Sequence, residues 1–262
     1  MAPPRKRFGQ HFLHDRTVIR RILDAVQPAP DQRLVEIGPG RGALTRPLLE
    51  RAGELDAVEV DRDLIARLAQ LKGGTLRLHN ADALTLDFAA LRRGDPRRLR
   101  VVGNLPYNIS TPLLFHLLEF APHIADMHFM LQREVVERLA AGPGGADYGR
   151  LSVMVQYRCR VEPLWTVGPG AFYPPPKVQS AFVRLVPHPR PPVAVTDEAR
   201  FAAVVREAFS QRRKTLRNSL RRLADAAAIA AAGIDPGARP ETLSLADFAA
   251  LSNRLSAASG LY

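Results

Sequence analysis

The strongest constraint on this chain is an alternation, through its first two thirds, of short apolar runs with helix-length amphipathic stretches. The runs Arg33–Ile37, Leu55–Val60, Thr75–His79, Leu99–Val102, Met127–Leu131, Val161–Val167 and Ser180–Val186 are mostly rich in Val, Ile or Leu, as suits strands covered on both faces. Between them the spacing predicts helices over Asp15–Val26, Ala43–Arg51, Arg62–Leu71, Pro112–Phe120 and Gln132–Ala141, with Thr111 as a cap ahead of Pro112. This order builds an α/β fold: a mostly parallel sheet with helices on both faces, whose ligands bind beyond the carboxyl ends of the strands. The pattern stops near Pro187. His188-Pro189-Arg190-Pro191-Pro192 is a stiff linker. The alanine-rich remainder has no convincing strand and reads as short helices, roughly Asp197–Phe209, Thr215–Leu223, Ala224–Ala232 and Ser244–Ser256. Two domains are expected, 1–187 and a small all-α domain over 188–262.

Charge narrows the partners. Lys plus Arg number 37 against 26 Asp plus Glu, a net +11. The excess is clustered: Met1 to Arg21 holds six basic residues and one acid, and Arg206 to Arg222 holds seven and one. Such fields favour a polyanion, and nucleic acid ranks ahead of anionic membrane because no basic amphipathic anchor is evident. No apolar run approaches the roughly 20 residues that cross a bilayer, and no signal-peptide stretch follows the basic N-terminus. The single cysteine, Cys159, excludes an internal disulfide, and the seven histidines lack metal-ligand spacing. The expectation is a cytoplasmic protein without a structural metal, and nothing demands more than a monomer.

Val35-Glu36-Ile37-Gly38-Pro39-Gly40-Arg41-Gly42 is a strand that enters a glycine-rich turn. Glycines let backbone approach a ligand and adopt φ values closed to other residues. The same residues also read as a dinucleotide-type turn. Glu36 shifts the balance, because a carboxylate there meets the positive amino-acid end of S-adenosyl-L-methionine and repels a pyrophosphate. Glu59, ending the next strand, stands where a carboxylate takes ribose hydroxyls, with Asp61 as a lesser candidate that also suits a helix cap. Asp82 follows the third strand and fits either a bond to the cofactor's adenine amine or a simple turn.

Gly103-Asn104-Leu105-Pro106-Tyr107-Asn108-Ile109-Ser110 follows the fourth strand and opens at the same sheet edge. An adenine N6 is a poor nucleophile because its lone pair is delocalised into the ring. Two acceptors on its N–H groups draw the nitrogen toward tetrahedral geometry and offset developing charge. The Asn104 side-chain oxygen and the Leu105 carbonyl are the candidates. Pro106 holds Leu105 extended and so aims that carbonyl, and Tyr107 offers a face for stacking.

Together with Arg7-Phe8-Gly9-Gln10-His11-Phe12-Leu13, Glu59-Val60-Asp61 and Phe172-Tyr173-Pro174-Pro175-Pro176-Lys177-Val178, these motifs resemble the ribosomal RNA adenine N6,N6-dimethyltransferase family, above all its bacterial small-subunit branch. The likeness runs from Arg5 past Val186 and resumes at Phe209-Ser210-Gln211-Arg212-Arg213-Lys214-Thr215-Leu216. It implies a Rossmann-like class I methyltransferase domain with a helical RNA-binding domain. It also implies dimethylation of two adjacent adenines near the 3′ end of small-subunit (16S) rRNA, in the immature small ribosomal subunit. Cofactor contacts implied by position are His11, Leu13, Gly38, Gly40, Glu59, Asp82 and Asn104. The family frequently has Asn where His11 stands, so a backbone bond is implied there and a side-chain bond is left open. Phe172, held by stiff prolines, is expected to face Tyr107 across the extruded base. Basic segments from both ends of the chain are expected to hold RNA phosphates. Competing readings are a large-subunit rRNA adenine methyltransferase, a non-catalytic rRNA-binding assembly factor, and a NAD-binding oxidoreductase.

Overall fold

The structure is a computed structural model that describes residues 10–211 and 213–259. The expectations resting on Arg5, Lys6, Arg7, Phe8, Gly9 and Arg212 lie outside the described residues. Strand β1 (Phe12–Leu13) leads into helix α1 (Arg16–Val26), which starts where the Asp15 carboxylate accepts the Thr17 and Val18 N–H groups at 2.8 and 3.0 Å. Five mutually parallel strands follow: β2 (Arg33–Ile37), β3 (Glu54–Glu59), β4 (Thr75–Asn80), β5 (Leu99–Asn104) and β6 (Ile124–Gln132). Helices α2 (Thr45–Ala52), α3 (Arg62–Leu68) and α4 (Ser110–Glu119) occupy three of the connections. Then come α5 (Arg133–Ala140), α6 (Arg150–Arg158), β7 (Cys159–Val167), β8 (Phe172–Tyr173) and β9 (Ser180–Pro187).

The large sheet has the order β4-β3-β2-β5-β6-β9-β7, and β9 runs antiparallel to β6. From β2 the chain moves outward through β3 and β4, then returns to lay β5 on the other side of β2. The loops after β2 and β5 therefore diverge, and that divergence opens a crevice at the sheet's carboxyl edge. Strand β5 lies close to β2 because Gly103 has no side chain: a Cβ there would sit 2.6 Å from the Ile37 carbonyl oxygen. Beyond β5, the buried Asp126 on β6 takes a two-pronged contact from Arg100 at 2.9 Å and a third bond from Arg184 of β9 at 3.1 Å, tying three neighbouring strands. A separate two-stranded ribbon pairs β1 with β8, Phe12 opposite Tyr173 and Leu13 opposite Phe172.

The start of α4 departs from expectation. Ile109, not Thr111, holds the cap position, and the Leu113 N–H reaches the Ile109 carbonyl at 2.9 Å. Pro112 sits in the first turn, where an N–H has no helical partner to lose. Helix α6, which follows a glycine-rich stretch, was not expected.

Contacts divide the chain into two units: residues through Val136 with Val161–Pro187, and Glu137–Arg160 with everything from His188. The boundary at Pro187 coincides with the proline linker, but Glu137–Arg160 groups with the helical unit rather than with the expected 1–187 domain. The reason is apolar. Tyr148, Val153 and Tyr157 are buried in one cluster with Phe201, Val204, Val205, Phe248 and Leu251. That unit is completed by α7 (Glu198–Ala208), α8 (Leu216–Ser219), α9 (Ala226–Ala231) and α10 (Leu245–Ser259). Arg206, Arg213, Lys214, Arg217, Arg221 and Arg222 are all exposed. Among the described residues no helix is long and apolar enough to cross a membrane.

Candidate functional site

A cavity of about 260 Å³ opens at the crevice between β2 and β5, lined by the ends of β2, β3 and β5, by the loops after β2, β3, β4 and β5, and by the segment around β1. It gathers six of the seven expected cofactor positions: His11, Gly38, Gly40, Glu59, Asp82 and Asn104. The seventh, Leu13, is buried and lines a smaller adjoining recess with Phe12, Glu36, Arg41 and Asn104.

Gly40 has φ +56°, and a Cβ added to it would meet the Phe12 ring at 3.0 Å, so the turn needs glycine both for its conformation and for its closeness to β1. The Gly40 N–H then donates to Glu59 Oε2 at 3.3 Å, while the Asp61 N–H donates to Oε1 at 2.9 Å. These two bonds fix the Glu59 carboxylate at the cavity wall. Burial holds its pKa above the ordinary carboxylate value, partly offset by those same N–H groups. Asp61 turns the other way: its side chain accepts the Asp63 N–H at 3.1 Å and caps α3. Asp82 lines the cavity, and its carboxylate accepts the Leu84 N–H at 2.9 Å in a turn.

Glu36 is buried, and its Oε2 has no hydrogen-bond partner among the described residues. Burial, opposed by the nearby Thr45 hydroxyl and reinforced by the Glu59 carboxylate, pushes its pKa up to about 8. Such a solvent-shielded acid beside a recess is neutral when alone, and a cationic group placed against it would favour its ionised form.

On the opposite wall, the Asn104 side-chain amide donates from Nδ2 to the His11 carbonyl at 2.8 Å. A carbonyl only accepts, so this bond sets the amide's orientation and leaves Oδ1 as the acceptor. The Leu105 N–H is spent on the Met130 carbonyl at 3.2 Å, and Pro106 follows it directly. The loop is braced below by Ile109 N–H to the Pro106 carbonyl at 3.2 Å and by Ser110 Oγ to the Tyr107 carbonyl at 3.0 Å. Tyr107 is anchored at its far end, its hydroxyl 2.6 Å from Ser180 Oγ at the start of β9. The sequence did not single out Ser180, because nothing local pairs residues 73 positions apart.

The His11 ring stacks on Tyr107, with centroids 5.5 Å apart, and its Nδ1 lies 2.7 Å from the Pro174 carbonyl. Because that carbonyl only accepts, the proton is on Nδ1. The position thus uses its backbone toward Asn104 and its side chain toward the loop after β8. Val58, Val60, Ala81, Ala83 and Leu84 complete an apolar wall that the sequence reading missed. The signal for them is weak: they are small or branched residues just at strand ends.

Phe172 requires a correction. Its side chain is 2% exposed and packs in a core cluster with Leu13, Leu44, Val167 and Phe182, away from the cavity lining. It presents no face across from Tyr107. In a two-residue strand one side chain points in and the next points out, and here the outward ring is Tyr173.

A strand-end cavity at the switch point, with a glycine turn, two acids and an Asn-Leu-Pro-Tyr wall, defines a Rossmann-like class I methyltransferase. The model of the ribosomal RNA adenine dimethylase family matches residues 2–257, and the chain belongs to that family. It is 61% identical over 254 residues to the ribosomal RNA small subunit methyltransferase A of Pseudomonas aeruginosa, covering 96% of this chain and 94% of that one. To the protein of the same description from Nitrosococcus oceani it is 62% identical over 251 residues, covering 95% and 94%. Among solved structures it resembles a dimethyladenosine transferase from Plasmodium falciparum, with a TM-score of 0.73, 25% identity and coverage of 92% and 96%. It also resembles the 23S rRNA methyltransferase ErmE, with a TM-score of 0.68, 29% identity and coverage of 94% and 99%.

Proposed function

We propose that this protein uses S-adenosyl-L-methionine to dimethylate N6 of two adjacent adenines near the 3′ end of small-subunit rRNA, acting on the immature small ribosomal subunit. The observation that carries the reading is the Asn104 amide, oriented by His11 so that its oxygen is left as an acceptor on the cavity wall next to Leu105.

The residues present suit this cofactor. The buried, unpartnered Glu36 oxygen matches the ammonium of its amino-acid end, and Glu59, fixed by two backbone N–H groups, matches ribose hydroxyls. Val60, Ala83 and Asp82 offer an apolar wall and an acceptor for its adenine. Bound there, the cofactor supplies a methyl group activated by a sulfonium. Asn104 Oδ1 and the Leu105 carbonyl accept the two N6–H bonds of the target and steer the nitrogen lone pair out of ring conjugation. Tyr107, held by Ser180, stacks on the base, which makes positioning the chief contribution of the protein. For the second methyl the target retains a single N–H, so one acceptor holds it while the other faces the first methyl.

The choice of the small subunit rests on the relatives of about 60% identity described as small-subunit methyltransferases, against 29% for the large-subunit enzyme of the same fold. Mass spectrometry of rRNA from cells lacking the protein tests this directly. Both small-subunit dimethyladenosines are expected to disappear and to return with the wild-type gene. Unchanged small-subunit rRNA, or loss of a modification from the large subunit alone, would refute it.

A further inference from the structure

Of the large apolar side chains that stand out from the surface, Tyr173 is the most exposed, at 56%, and the only aromatic one among the described residues. The neighbouring Phe172 is committed to the core, which leaves the Tyr173 ring pointing outward from β8. Its place is the cavity rim. It pairs with Phe12, which lines the cavity, and the next residue, Pro174, supplies the carbonyl that holds the His11 ring on Tyr107. A cation accompanies it: the Arg41 guanidinium lies 4.3 Å from the centre of the Phe12 ring and 5.9 Å from that of Tyr173. A tyrosine kept for packing would bury its ring. One kept in water beside an arginine, at the mouth of a base-binding site, has the makeup of a nucleobase platform with charge for the backbone.

We propose that Tyr173 stacks on the nucleotide adjoining the target adenine, with Arg41 steadying the ring and attracting the phosphate beside it. The proposal rests on the RNA-methylating reading above. A substrate with two adjacent targets always has a second purine just outside the cavity when the first is inside. A stacking surface recognises either neighbour without reading its edges, so one platform serves both rounds. Tyr173 thus positions the substrate and takes no part in the chemistry.

The test is steady-state methylation of immature small subunits reconstituted with rRNA that is intact or abasic at the nucleotide next to the scored adenine. On intact substrate, Tyr173→Ala is expected to raise KM about tenfold, the scale of one lost base stack, with kcat within a few-fold. Tyr173→Phe, which keeps the ring, is expected to restore the wild-type KM. On abasic substrate the wild type is expected to show the same loss, and Tyr173→Ala no further one. An unchanged KM in Tyr173→Ala, or losses from the two changes that multiply, would overturn the platform while leaving the methylation reading intact. Failure of the wild type to methylate any adenine would instead remove the parent reading, and the platform with it.

Discussion

Glu36 shows how far a single environment can push a side chain in this fold. An acid shielded from water keeps its proton to about pH 8, whereas in the unfolded chain it loses that proton near 4.5. Between those values the native state binds more protons than the unfolded state, so stability falls as pH rises, by at most about 1.4 kcal/mol per unit. Thermal unfolding of the ligand-free protein between about pH 6 and pH 8 checks this: the wild type should lose stability more steeply than Glu36→Gln. Parallel curves would mean that the carboxyl ionises freely. Glu36 and Asn104 stood out in the sequence beside a glycine turn and a proline turn, and Glu59 because it ends the next apolar run. The Tyr107–Ser180 bond and the turn of His11 toward Pro174 were not, since both depend on chain segments that meet only after the sheet is built.

The two-residue ribbon of β1 and β8 marks the limit of pattern reading at the level of elements. Two residues carry no alternation, so sequence alone cannot decide which of Phe172 and Tyr173 faces the core. The structure decides it, and a stability measurement follows. Phe172→Ala empties a fully packed site and should cost about 3–5 kcal/mol in denaturant unfolding. A cost well under 1 kcal/mol would mean that the ring is not held in the core. The parallel strands, by contrast, were readable to within a few residues, because four of them are largely buried and mostly apolar, while the half-exposed edge strand β4 alternates Leu with polar residues. Helix α6 escaped notice for a related reason: Tyr148, Val153 and Tyr157 find their apolar partners beyond residue 200, so their burial leaves no mark in the neighbouring sequence.

For the whole molecule, charge and topology do different work. The exposed Arg213, Lys214 and Arg217 suit contact with RNA phosphates, and such contacts release counterions. Affinity for small-subunit rRNA should therefore fall steeply with salt, and replacing Arg213 and Lys214 by Glu should reduce the slope of log K against log salt by roughly 1–2. An unchanged slope would place the RNA elsewhere. Topology brings the glycine turn after β2 and the Asn-Leu-Pro-Tyr loop after β5 to a single cavity, and the account of catalysis depends on that meeting. The most direct measurement is the single-turnover methylation rate of Asn104→Ala at saturating methyl donor, alongside its melting temperature. The predicted result is a rate lowered by at least about 10²-fold in a protein that melts within a few degrees of the wild type. A folded variant that methylates at close to the wild-type rate would contradict the account.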